Sequence, residues 1–214
     1  MKWDIKRELA RKFIHLLSIF ILIVYSFVSN IFDKSVALII LVFVVIIALE
    51  FEYLRIEIAR EIPILKHVWK HLRRRKEKNK IGGDVFFLIG AILVLAVFDV
   101  RIAMAAILMT TFGDMAAALF GKKFGKHYYM KERAWEGTLA EFVVDILIGI
   151  IVFFFITSNP INSLGIWLII FTMAVTATFV ETMIYKLDDN LLIPIFSGFV
   201  GQMVLVVVNY LLLM

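Results

Sequence analysis

Seven long runs of apolar residues, nearly free of charge, constrain this chain more than any other feature. A helix that crosses the hydrocarbon core of a bilayer takes about 20 mostly apolar residues at a rise of ~1.5 Å each. The runs Phe13–Ser29, Ser35–Leu54, Asp84–Phe98, Ile102–Phe120, Thr138–Thr157, Ser163–Tyr185 and Leu191–Met214 meet or approach that length. The third is short and fits a tilted or partly re-entrant segment. No small-residue cleavage site follows the first, so it reads as a retained helix rather than a signal peptide. Composition agrees: 62% of residues are apolar and 19% charged, and the mean hydropathy is +0.94, where soluble domains are roughly half apolar. The expectation is an all-α, polytopic membrane protein of about seven spanning helices, one membrane domain over residues 1–214. A disordered chain, a disulfide scaffold and an ordinary cytosolic enzyme are excluded. The absence of Cys also removes thiolate chemistry and zinc–thiolate clusters.

Charge placement orients the bundle. Five Lys and Arg precede the first run, ten lie between the second and third, five between the fourth and fifth, and one between the sixth and seventh. With seven crossings these all share one face, and only Lys34 and Arg101 lie opposite. The positive-inside rule then puts the N terminus in the cytoplasm. The net charge of +5 and a pI near 9.4 therefore point to a membrane surface and not to nucleic acid. Within residues 55–83, Ile58, Ile62, Leu65, Val68 and Leu72 recur at helical spacing and run into Arg73, Arg74, Arg75, Lys76, Lys78 and Lys80. This reads as a basic amphipathic helix in the headgroup layer, kinked or restarted at Pro63.

Ionisable groups within spans cost about 2.5–3.5 kcal/mol each on insertion scales and mark functional sites by default. Asp114 lies in the fourth run, Glu141 and Asp145 in the fifth, and Glu181 near the end of the sixth. Glu141 and Asp145 share a helix face, which fits either a structural pair or a working one. After Asp114 the chain reads Gly113-to-Lys126, GDMAAALFGKKFGK. Ala116, Ala117 and Ala118 let a neighbouring helix approach. Gly121 and Gly125 read either as packing residues or as places where backbone amides meet phosphate, beside Lys122, Lys123 and Lys126. Arg133, Glu136, Gly137 and Thr138 follow, with Thr138 placed to cap the fifth helix and its N-terminal amides placed to bind an anion. Residues 121–137 thus read as a nucleotide-binding loop, suited to a magnesium-bound triphosphate. Glu181, Lys186, Asp188, Asp189 and Asn190 join the sixth and seventh runs, with Pro194 beyond them; Asp188 itself reads as a helix terminator. Arg11, Lys12 and His15 enter the first run, as snorkelling anchors or as contacts to a lipid headgroup or phosphate.

In this order, RKFIH, GDMAAALFGKKFGK, RAWEGT and VETMIYKLDDNLLIP resemble the dolichol kinase, phytol kinase and CTP-dependent diacylglycerol kinase group. The resemblance runs from Arg11 to Gly198. The group's nucleotide pattern falls on Gly113, Asp114, Ala117, Gly121, Gly125 and Lys126, and its second signature on Arg133, Ala134, Trp135, Glu136, Gly137 and Thr138. Ala134 stands where the group has Ser or Thr, and Arg133 where Lys is common. The later acidic pattern falls on Glu181, Asp189, Asn190 and Pro194.

What the resemblance implies is a kinase that transfers the γ-phosphoryl group of CTP to a membrane isoprenoid alcohol, dolichol- or polyprenol-like, at the cytoplasmic face. Asp114 and Glu136 would hold magnesium, and Lys122, Lys123, Lys126 and Arg133 would neutralise phosphates. Glu181 or Asp189 would orient or deprotonate the lipid hydroxyl, and Asn190 would meet a headgroup or phosphate. The neighbouring cytidylyltransferases, which would use the same triphosphate to make a CDP-lipid, carry C-terminal signatures that this chain lacks. A transporter, the remaining class, would use the buried carboxylates for ions.

Overall fold

The computed structural model describes residues 17–57, 81–130, 133–157, 163–183 and 187–213. Arg11, Lys12, His15, Lys186 and most of the expected amphipathic segment lie outside them. Seven helices follow one another: α1 Leu17–Ile31, α2 Lys34–Glu57, α3 Gly83–Val97, α4 Val100–Phe124, α5 Trp135–Ile150, α6 Ser163–Met183 and α7 Asp189–Leu213. A wide π-helical turn, Ile151–Ile156, continues α5. Each expected apolar run falls on one of these helices. Five of them, α2 and α4 to α7, are long and apolar enough to cross a bilayer, whereas α1 and α3 are shorter than a full crossing. The protein is thus all-α and polytopic, apart from one short antiparallel pair, β1 Tyr128–Met130 and β2 Arg133–Ala134, that the sequence did not suggest.

The chain divides into two compact units, Met1–Ile92 and Leu93–Met214. In the first, α1 packs on α2 through Ile21, Leu22 and Tyr25 on one side and Ala37, Leu41 and Val45, at spacings of four, on the other. The intervening turn is fixed by Asp33. Its carboxylate accepts the backbone N–H groups of Ser35 and Val36, capping α2, and these bonds hold the Asp33 carboxyl below the usual carboxylate range. Near the other end of α2, the buried Glu52 accepts the Arg55 guanidinium at 2.5 and 2.9 Å.

The second unit is built around α4. Ile102, Ala103, Ala105, Ala106, Ile107 and Met109 are almost wholly buried, and α5, α6 and α7 all pack against this helix. Asp99 starts it: its carboxylate accepts the backbone N–H of Arg101 and the Arg101 guanidinium, while Gln202 on α7 accepts the Asp99 N–H at 2.8 Å. Thr110 and Thr111 return their hydroxyls to the carbonyls of Ala106 and Ile107, so neither is left unsatisfied in an apolar setting. Large apolar side chains such as Phe155, Leu164, Phe179 and Phe199 stay exposed on the outer faces, as lipid contact requires.

The α4–α5 seam is the closest in the unit, and glycine makes it so. A Cβ on Gly137 would sit 2.6 Å from the Ala117 carbonyl oxygen and 3.0 Å from Gly121 Cα. Two turns along, a Cβ on Gly113 would sit 2.5 Å from an Asp145 oxygen and 3.2 Å from Glu141 Cγ. Gly113, Ala117 and Gly121 recur every four residues, the small-residue stripe that lets backbones touch in a membrane. Gly137→Val should therefore lower the thermal midpoint in detergent, with a loss of about 1–3 kcal/mol typical of overpacking. Leu139→Ala, on the exposed face of the same helix, should move it little; equal melting of the two variants would reject this account of the seam.

Candidate active site

Four helices contribute acidic residues to one cluster. Asp114 comes from α4, Glu141 and Asp145 from α5, Glu181 from α6, and Asp189 opens α7. Glu141, Asp145 and Glu181 are buried, Asp145 completely. Glu141 and Glu181 lie side by side, and Asp114 and Asp189 both lie within Coulombic reach of Glu181. Gly113 is the reason Asp145 and Glu141 can lie flat against α4 beside Asp114. One cation answers them from β2: the charge of Arg133 is also within Coulombic reach of Glu181. Both oxygens of Asp145, Oε2 of Glu181 and Nη1 of Arg133 are buried with no hydrogen-bond partner among the described residues. Orphaned buried polar atoms are uncommon and costly, so their concentration at one place marks it.

A basic rim stands above this cluster. From Asp114 to the end of α4 at Phe124 is ten residues, about 15 Å of helix. Lys122 and Lys123 sit on that last turn, so they belong to a helix and not to a loop as expected. Gly125 ends the helix, with its N–H on the Gly121 carbonyl at 3.0 Å; a Cβ there would meet Ala134 Cβ at 2.9 Å and the Tyr128 hydroxyl at 3.0 Å. Ala134, the departure from Ser or Thr, is thus buried under the glycine. Lys123, Phe124, Gly125, Lys126 and Glu136 line an open concavity of about 530 Å³. The Lys123 ammonium lies 5.1 Å from the centre of the Phe124 ring, a cation–π contact at its edge.

The β1–β2 hairpin ties this rim to α5. Trp135 N–H donates to the His127 carbonyl, the Tyr129 ring packs on Trp135 at 5.0 Å, and the Tyr129 hydroxyl meets Thr138 Oγ1 at 2.9 Å. Thr138 therefore does not cap α5. That helix starts three residues earlier, with Ala134 at its cap and no side-chain bond there. Glu136 occupies the first turn instead, where a negative charge suits the helix dipole, and accepts from His127 through both its backbone N–H and Nδ1, the latter at 2.8 Å.

The structure thus unites some expected site residues and separates others. Asp114, Glu181, Asp189 and Arg133 gather at the cluster. Glu136, expected to share a metal with Asp114, lies level with Gly121, seven residues and about 10 Å up the helix from Asp114. Gly113, Gly121 and Gly137 lie in the packed seam. Asp188 caps α7: its side chain accepts from Asn190 through both backbone N–H and Nδ2, and its carbonyl from Leu191 and Leu192, so the Asn190 amide is engaged locally. Glu141 and Asp145, not among the expected site residues, are central; their spacing of four was the signal. His127 and Tyr129 were unmarked by any pattern. Tyr129→Phe should loosen the hairpin, costing about 1 kcal/mol and changing the emission of Trp135, whose ring it packs against. Thermal unfolding with tryptophan fluorescence tests this.

The chain is similar to the CTP-dependent diacylglycerol kinase 1 of Schizosaccharomyces pombe, with 32% identity over 137 residues, covering 59% of this chain and 62% of that protein. It therefore spans less than two thirds of the length of this curated relative. No family model matches the chain. No solved structure matches it.

Proposed function

We propose that this protein is a CTP-dependent lipid kinase, which transfers the γ-phosphoryl group of CTP to the hydroxyl of a membrane lipid. The observation that carries this reading is the placement of two sites along α4. A lysine-rimmed concavity suited to a triphosphate closes the end of α4, and a carboxylate cluster suited to metal and hydroxyl lies further down that helix, with Arg133 within Coulombic reach of it. The similarity to a CTP-dependent diacylglycerol kinase supports both donor and reaction class. In this reading all seven helices cross or enter the membrane, the N terminus is cytoplasmic, and so are the rim and the lipid-hydroxyl site.

Lys122, Lys123 and Lys126 hold the β- and γ-phosphates, and the Arg133 guanidinium, with one buried nitrogen unengaged, accepts charge as the phosphoryl group moves. The residues fit magnesium by their chemistry: hard carboxylate oxygens, several without partners. Among the described residues no three acidic or histidine side chains already form a cage, and magnesium on a nucleotide commonly takes only one or two carboxylates, with phosphates and water completing its shell. Asp114, half-buried at the cluster edge, is the residue we assign to it; bound there it would neutralise phosphate charge. Glu181 or Asp189 takes up the acceptor's hydroxyl proton. Glu181 lies two residues from the end of α6 and Asp189 opens α7, so in this reading the acceptor hydroxyl sits at headgroup depth with its hydrocarbon tail in the bilayer.

The acceptor is a lipid alcohol. The sequence resemblance favoured a polyprenol, whereas the name of the fungal relative favours diacylglycerol. Purified protein in mixed micelles, supplied with labelled CTP or ATP against diacylglycerol, a polyprenol and phytol, should phosphorylate one class with CTP and release CDP. Release of pyrophosphate would identify a cytidylyltransferase, and no transfer to any lipid alcohol would reject the kinase. Asp114→Asn should reduce turnover by 10²-fold or more, while joint replacement of Lys122 and Lys123 by Ala should chiefly raise the CTP concentration needed for half-maximal rate.

A further inference from the structure

Of the buried groups at this site, Asp145 has no part in holding triphosphate or lipid hydroxyl. It is 0% exposed and lies ten residues inside α5, about 15 Å from that helix's start. Neither of its oxygens has a hydrogen-bond partner among the described residues. Among the described residues no serine, threonine or backbone amide takes them up, and Gly113, beside Asp145 on α4, has no side chain to offer. Glu181, on the next helix, is within Coulombic reach and also presents an unpartnered oxygen, Oε2. Glu141, one turn from Asp145 on α5, also lies beside Glu181. Two neighbouring ionised carboxylates in a low-dielectric interior repel, and either a proton or a bound cation removes that repulsion. The cation in reach, Arg133, bears on Glu181 from the hairpin side.

We propose that Asp145 and Glu181 bind a divalent cation between α5 and α6 without any nucleotide, with Glu141 as the positioning residue that orients Glu181. Two carboxylates with water completing the shell are an ordinary donor set for magnesium or manganese, and a hydrogen-bonded neighbour to a ligating carboxylate is the common support. The site is distinct from Asp114, which meets the metal arriving with CTP. It also stands whichever lipid reacts. The bound cation would make the bundle complete before substrate arrives and set a fixed positive charge beneath the position of the transferring phosphate.

The test uses the full chain in detergent, stripped with chelator and free of nucleotide, with Mn²⁺ alone as the probe. Electron paramagnetic resonance titration should count one tightly bound Mn²⁺ per chain, displaced by Mg²⁺. At a hundredfold excess over its dissociation constant Mn²⁺ should raise the thermal midpoint by roughly 5 °C or more. Asp145→Asn and Glu181→Gln should each weaken binding at least tenfold and abolish the midpoint shift. In chelator, Asp145→Asn should melt no lower than the unsubstituted protein, because it removes an unpaired buried charge. Glu141→Gln should weaken binding less than either. Asp114→Asn should retain the nucleotide-free Mn²⁺. Absence of Mn²⁺ binding without CTP, or binding unchanged in both Asp145→Asn and Glu181→Gln, would overturn the site. Lipid phosphorylation measured on the same preparations separates the two ideas: transfer without nucleotide-free Mn²⁺ overturns this site and leaves the kinase reading intact, whereas Mn²⁺ binding without transfer upholds the site and counts against the kinase.

Discussion

The close approach of α4 and α5 is the constraint from which the rest of the second unit follows. In a bilayer no hydrophobic force pulls helices together, so packing must come from shape. Here the shape is absence: Gly113, Gly121 and Gly137 let one backbone lie against the other, and any side chain there would meet backbone or carboxylate within 2.5–3.4 Å. The seam sets the register of the two helices, and register decides which polar residues face one another. At its upper end it brings the lysine turn of α4 against the hairpin, and at its lower end it presses Glu141 and Asp145 against the turn that bears Asp114.

That lower end is expensive. Each ionisable side chain buried within a span costs a few kcal/mol on insertion scales, and here Glu141, Asp145 and Glu181 are buried together, with Arg133 of the hairpin within Coulombic reach of Glu181. The seam, the threonine back-bonds of α4 and the Asp99–Arg101–Gln202 network at its opposite end supply a frame that tolerates this. Strain of that kind belongs at sites of chemistry, since an apolar core of equal volume would hold the helices as well. Pro194 adds to the same region: lacking an N–H, it leaves the Asn190 carbonyl without its helical donor, close to Asp189 at the start of α7.

Much of this was legible in the sequence because hydrophobic length and periodicity are local properties. All seven apolar runs fall on helices, and the acidic residues that matter could be picked out as charges inside those runs. Their convergence could not be read, because it depends on helix register over residues 75 positions apart, such as Asp114 and Asp189. Gly121 was read as part of a loop since glycine and lysine together usually end a helix; tertiary contact with Gly137 keeps that turn helical through Phe124. Thr138 resembled a cap, but the hairpin lets α5 begin at Trp135, and two strands of three and two residues carry too little pattern to be foreseen. The third apolar run reads as short, and α3 is accordingly a helix of 15 residues.

α4 runs ten residues on from Asp114, whereas α6 ends two residues after Glu181. The acidic floor is consequently walled on one flank and low on the other. In the kinase reading proposed above, a water-borne reactant would descend along the tall flank, whereas one dissolved in the bilayer would arrive sideways over the short one. The two routes do not intersect until their ends, so neither reactant need depart before the other enters. Architecture of that kind favours direct transfer within a ternary complex over a ping-pong cycle through a phosphorylated enzyme.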